Sequence, residues 1–186
     1  CIRDSILPQG GIPAIAVKGD TLAVSFSGDN GSIQVGGGLV ITYNAQDTSS
    51  LSWQYFAQPV DVATDTIKPF GEGYYRCLPV TVPEANVTYD SDIDQNFLWI
   101  ASWAGGLRRY NIDESNWENI PLPMDSQDSL SLCEGFEDQD VFGRPLLSGY
   151  YLNPRDPEDG GNHNHKAFSV EAYGDTVWVG TANGIN

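Results

Sequence analysis

The run YDSDIDQN, residues 89–96, carries aspartates at alternate positions: Asp90, Asp92 and Asp94. Carboxylates so spaced can bring several oxygens onto one Ca²⁺ when the backbone curls around the ion, and calcium is the cofactor this stretch points to. It is not an EF-hand. Counted from Asp90, the sixth position is Gln95 where that loop needs Gly, and the twelfth is Ala101 where it needs Glu. The plain alternative is a solvated acidic turn. A second group lies in RDPEDGGNHNHK, residues 155–166, which holds the chain's two histidines, His163 and His165, beside Asp156, Glu158 and Asp159. On a strand, alternate imidazoles share a face and make a candidate transition-metal pair; in a loop they are polar surface. The three cysteines form no CxxC pair, which argues against a zinc ribbon or a thioredoxin-like site. Cys77 and Cys133 are expected to form a disulfide stapling two long connecting segments. Cys1 stands where a lipid-modified cysteine would, without a signal peptide to support that reading.

Enzymatic signatures are missing. The sequence has no GxSxG elbow, HExxH or phosphate loop. Sialidase chemistry would need a tyrosine nucleophile and an arginine cluster, and Arg3, Arg76, Arg108, Arg109, Arg144 and Arg155 fall in no such pattern. A non-catalytic binding or structural role is therefore expected, with a carbohydrate-active enzyme fragment or a sensor ectodomain as alternatives. A formal charge of −16, from 25 acidic against 9 basic residues, repels phosphate backbones and anionic membranes. Neither nucleic-acid binding nor membrane insertion is expected.

The elements that must position these groups read as short strands. Twenty Gly, 11 Pro and 16 Phe plus Tyr, with no amphipathic helical stretch, describe an all-β chain with at most one helical turn in residues 124–136. One pattern recurs. LAVS (22–25) leads to GGGL (36–39), LWIA (98–101) to AGGL (104–107), and VWVG (177–180) to ANGI (182–185). Each apolar run follows a turn signal: GDT, DQN and GDT. IPAIAV (12–17) and AFSVEAY (167–173) precede two of these turns, and LSWQYF (51–56) and NWENI (116–120) close two units. Four strands joined by Gly-rich turns make a β-propeller blade. The predicted fold is a single domain over 1–186, a partial β-propeller of about two to three four-stranded antiparallel blades. The units span about 12–56, 87–120 and 166–186, with inserts at 57–86 and 121–165; a β-sandwich is the alternative. Positions 22, 98 and 177 lie 76 and 79 residues apart, against the usual 40–50 or so for a blade, and the inserts account for the surplus. The third unit stops after its second strand, so the chain is expected to be a window on a longer polypeptide.

The phrases LWIASWAGGLRRYNIDESNWENIPL and SVEAYGDTVWVGTANGIN resemble repeats of the two-component regulator propeller type and the related sortilin-like propellers of large secreted bacterial proteins. The resemblance implies a propeller fold in an extracellular or cell-surface setting, in sensor ectodomains or exported surface proteins. The long inserts depart from that pattern. In such blades the second-to-third turns and the inter-blade connections share one end, and the turn FSGDNGSIQV (26–35) is enlarged at that same end. Tyr74, Tyr75, Trp103, Tyr150, Tyr151, His163 and His165 are thereby expected on one insert-bearing face. Exposed aromatics beside acidic groups there suit a glycan or a protein partner. The second strands are expected to stack sheet on sheet through residues such as Trp99 and Trp178.

Overall fold

A computed structural model describes residues 8, 10–29, 31, 34–60, 66–67, 75–76, 86–120, 122 and 166–186. Among these residues the chain is all-β, with antiparallel sheets and no helix. The first sheet runs β1 (Ile15–Lys18), β2 (Thr21–Asp29), β3 (Gln34–Thr42) and β4 (Gln54–Phe56), in sequence order. A short hairpin of β5 (Thr66–Ile67) and β6 (Tyr75–Arg76) lies in the first insert. The second sheet is again a meander, β7 (Thr88–Asp94), β8 (Phe97–Ser102), β9 (Gly106–Asn111) and β10 (Asn116–Ile120). The third comprises β11 (Ala167–Tyr173), β12 (Thr176–Thr181) and β13 (Gly184–Ile185).

The three turn signals become the loops of equivalent hairpins. Two residues join each first strand to its second, and the first of the two has positive φ: Gly19 at 61°, Gln95 at 50° and Gly174 at 62°. Such a loop matches the right-handed twist of the flanking strands, and glycine enters its left-handed conformation without a Cβ penalty. The segments 22–25, 98–101 and 177–180 lie in β2, β8 and β12, the second strands of three different sheets, as expected. Gly105 and Gly106 turn β8 into β9, and Trp117 sits on the fourth strand, β10. Residues 26–29 and 34–35 belong to strands and not to an enlarged turn. They prolong the β2–β3 hairpin past a bulge at Phe26/Ser27, where Gly38 adopts φ 83°. A Cβ on Gly38 would meet the Phe56 carbonyl oxygen at 2.3 Å, so glycine is required at this position by the close approach of backbone to backbone.

The sheets stack face to face. Ala16, Ala23, Leu39 and Ile41 of the first sheet pack against Ile93, Leu98, Ile100 and Tyr110 of the second. The opposite face of the second sheet, with Trp99, Ala101, Leu107 and Ile120, packs against Ala167, Val170, Ala172 and Val179 of the third. The first strands β1, β7 and β11 lie against one another. In the first interface side-chain size follows the resulting splay. Alanines fill it near the first strands, and Phe56, Tyr110 and Trp117 fill it toward the fourth, with ring centroids 4.7–6.4 Å apart. Trp178 corrects one expectation, for it points away from the second sheet and is 58% exposed. Its neighbours Val177 and Val179 face the core instead, because alternate residues of a strand take opposite sides.

Candidate functional site

Period-2 alternation places Asp90, Asp92 and Asp94 on the face of β7 turned to the third sheet. There each carboxylate accepts a main-chain N–H of β11 or of the turn that follows it. Val170 donates to Asp90 Oδ2 at 3.0 Å, Ala172 to Asp92 Oδ2 at 2.7 Å and Gly174 to Asp94 Oδ2 at 2.7 Å. The second oxygens are engaged as well: Ser91 N–H donates to Asp90 Oδ1 at 2.9 Å and Ile93 N–H to Asp92 Oδ1 at 2.8 Å. Two carboxylates thus bridge the facing edges of β7 and β11, supplying the acceptors that a neighbouring strand would otherwise give. Asp94 ends the row differently, its Oδ1 taking the Lys18 ammonium from β1. That ammonium, helped by the Gly174 N–H, holds the Asp94 carboxyl below the usual carboxylate range.

The calcium reading of these aspartates gains nothing from this geometry. Their oxygens go to separate N–H groups spaced along a strand, not to a common centre. Among the described residues no group of three or more His, Cys, Asp or Glu side chains is placed to hold a metal ion.

Beyond Asp94 the second and third sheets part into a cleft of about 570 Å³ at the end that carries the two-residue turns. Phe97, Trp99, Ala172 and Val177 form its apolar lining, and Asp94, Gln95, Arg109, Asp175 and Thr176 its polar one. The Arg109 guanidinium lies 4.4 Å from the Phe97 ring centroid and 5.5 Å from that of Trp99, and it pairs with Glu118 opposite it on β10. Gln95 ties the two turns together by donating to the Gly174 carbonyl at 3.2 Å. The walls are therefore braced on both sides: guanidinium stacking fixes the aromatic wall, and the carboxylate row fixes the strand opposite. An amphipathic ligand with one apolar face and hydrogen-bonding edges fits such a lining.

Of the residues expected on the insert-bearing face, Trp103 lies half-buried in the β8–β9 turn, with the Lys166 ammonium 5.6 Å from its ring centroid. Tyr75 falls in β6. Tyr74, Tyr150, Tyr151, His163, His165 and all three cysteines, Cys1, Cys77 and Cys133, lie outside the described residues. The cleft opens at the other end of β8 from Trp103. Its key members, Phe97 and Arg109, were legible only as strand residues; their cross-strand proximity needed the β8–β9 register that pairs Trp99 with Arg109. A second group that sequence reading missed is centred on Asn86, which is fully buried. It donates to the Pro59 carbonyl at 2.7 Å and accepts from Ser102 at 2.8 Å and Gln58 at 3.3 Å, tying the end of the first insert to β8.

No known family's sequence profile matches this chain, and no curated protein matches it. Among solved structures it is similar to the computationally designed Ika4 protein, at 11% identity over 96% of this chain and 90% of that one, with a TM-score of 0.33. That likeness is too slight to carry an argument.

Proposed function

We propose that this chain is a non-catalytic binding module built from propeller-type blades, of the secreted or cell-surface kind, and that the cleft between its second and third sheets takes a carbohydrate. The observation that carries the reading is the cleft's composition: an aromatic wall held by a stacked guanidinium, faced by carboxylate and amide groups at the mouth. A pyranose ring offers an apolar face to Phe97 and hydroxyls to Asp175, Gln95 and Thr176. The stacked meanders and the close-set first strands support the blade reading, and the strong negative charge supports a neutral or cationic partner over a polyanion.

A glycan array with the purified chain tests this, with Trp fluorescence to confirm binding in solution through Trp99. Asp175→Arg, which projects a long side chain across the mouth, is expected to weaken any hit about tenfold or more, or roughly 1.4 kcal/mol. Binding that ignores Asp175→Arg but vanishes in Trp103→Ala would move the site to the insert-bearing face. Turnover of a fluorogenic glycoside would instead favour the carbohydrate-active enzyme reading.

A further inference from the structure

The three turns that join first strands to second strands are equivalent, yet only two of them have glycine where the backbone favours it. Gly19 and Gly174 take the first place of their turns at φ 61° and 62°, and a Cβ built on either meets nothing within 4 Å. Space therefore admits a side chain at this place. What disfavours one is the backbone, since a positive φ crowds Cβ against the main chain in every residue but glycine. Gln95 takes the same place at φ 50°. An outlier of this kind, set beside two glycines in the equivalent turns, points to a task for the side chain. That task lies at the cleft. Gln95 lines its mouth, and Nε2 donates to the Gly174 carbonyl at 3.2 Å. The bond alone is a weak reason for the strain, because it is exposed and both partners would otherwise bond to water. It does fix the carboxamide in one orientation. One N–H is engaged by Gly174, and among the described residues Oε1 accepts no hydrogen bond. An acceptor and a second N–H are thus left side by side on one planar group, in the cleft that Phe97 and Trp99 line.

We infer that Gln95 is a specificity-determining residue of the cleft and takes two adjacent ring hydroxyls of a sugar, Oε1 accepting from one and Nε2 donating to the other. The inference rests on the carbohydrate reading of the cleft and narrows it to glycans with a free vicinal diol. A carboxamide placed for two hydroxyls rejects an analogue that has lost one, because its own polar atom is then desolvated without a partner.

Tryptophan fluorescence titration with trimers of one linkage tests it. The β-1,4-linked trimers of glucose and of mannose keep the 2,3-diol, whereas the β-1,4-linked trimer of N-acetylglucosamine has an amide in place of the 2-hydroxyl. At least one diol trimer is expected to bind about tenfold or more tightly than the N-acetyl trimer. Gln95→Gly removes the carboxamide and the strained Cβ together, so it is expected to lose that preference with an unchanged or higher melting temperature. Gln95→Asn keeps a residue that tolerates positive φ but withdraws the amide by one methylene, and it is expected to lose the preference as well. A lower melting temperature in Gln95→Gly makes the side chain a structural tie between the turns and overturns the inference, as does a preference that survives in either variant. An N-acetyl trimer bound as tightly as both diol trimers overturns it too and leaves the cleft a carbohydrate site. Failure of all three trimers while another glycan on the array binds removes the diol inference alone, and failure of every glycan removes the carbohydrate reading with it.

Discussion

The carboxylates of β7 carry the most specific chemistry at the scale of single residues. Asp92 accepts one N–H from its own strand and one from β11, so Asp92→Ala leaves two main-chain donors without their acceptor and is expected to cost about 1–3 kcal/mol. Asp92→Asn keeps an acceptor oxygen and should lose appreciably less; paired thermal melts of the two variants read the difference. Asp94 gives the row a pH dependence. Its carboxyl in the folded protein titrates below the unfolded value of about 3.9. Its contribution is therefore complete above that value and is lost as the pH falls through the folded pKa. Melting temperature followed from neutral pH downward should begin to fall below about pH 4. Lys18→Met removes the ammonium that depresses the pKa, so the variant should be less stable at neutral pH and its acid limb, which still starts near the unfolded value, should be shallower. The alternation Asp-x-Asp-x-Asp was legible as three carboxylates on one strand face. Their partners were not, since nothing local to residues 89–96 announces a strand eighty positions away.

Strand meanders and their turns were the most legible elements. The apolar runs and turn dipeptides of residues 19–25, 94–101 and 174–180 have period-2 and hairpin signatures that depend on neighbours in the chain, and each became a second strand behind a two-residue loop. Facing was harder to read. Trp99 and Trp178 hold equivalent places in their strands, yet one is buried and the other exposed, because the third sheet packs on the Trp99 face and, among the described residues, no sheet packs on the Trp178 face. The bulge at Phe26/Ser27 was illegible for a related reason: GGG reads as a turn until β4 is seen pressing on it. Gly38→Ala should be strongly destabilising, by about 2 kcal/mol or more, through both its positive φ and the Phe56 carbonyl. Asn86→Ala leaves the Pro59 carbonyl and the Ser102 hydroxyl without their Asn86 partner, while Gln58 keeps Thr88, and is expected to cost about 2–3 kcal/mol in denaturant titration.

For the whole molecule, the sheets are joined by packed faces and by side-chain acceptors. Trp99 stands in the centre of the second-to-third interface, and Trp99→Ala should cost about 3–5 kcal/mol with cavity formation. Amide exchange offers a finer readout. Val170, Ala172 and Gly174 point their N–H groups away from β12, and their protection reports only whether the second and third sheets are closed on each other. All three should exchange slowly in the native protein and should accelerate together in Asp92→Ala, ahead of the amides within β8 and β9.

The carboxylate row has one more consequence, and it concerns association gone wrong. A first strand with a bare row of N–H groups is a template for strand addition by another chain, the route by which exposed sheet edges seed aggregates. In this protein the acceptors that fill that row on β11 come from side chains of the preceding sheet, so the edge is chemically occupied without, among the described residues, a strand paired to it. Aspartates that read as a candidate ligand set thus act as a guard on a sticky edge, and losing them would expose the protein to edge-to-edge polymerisation while most of its fold is intact.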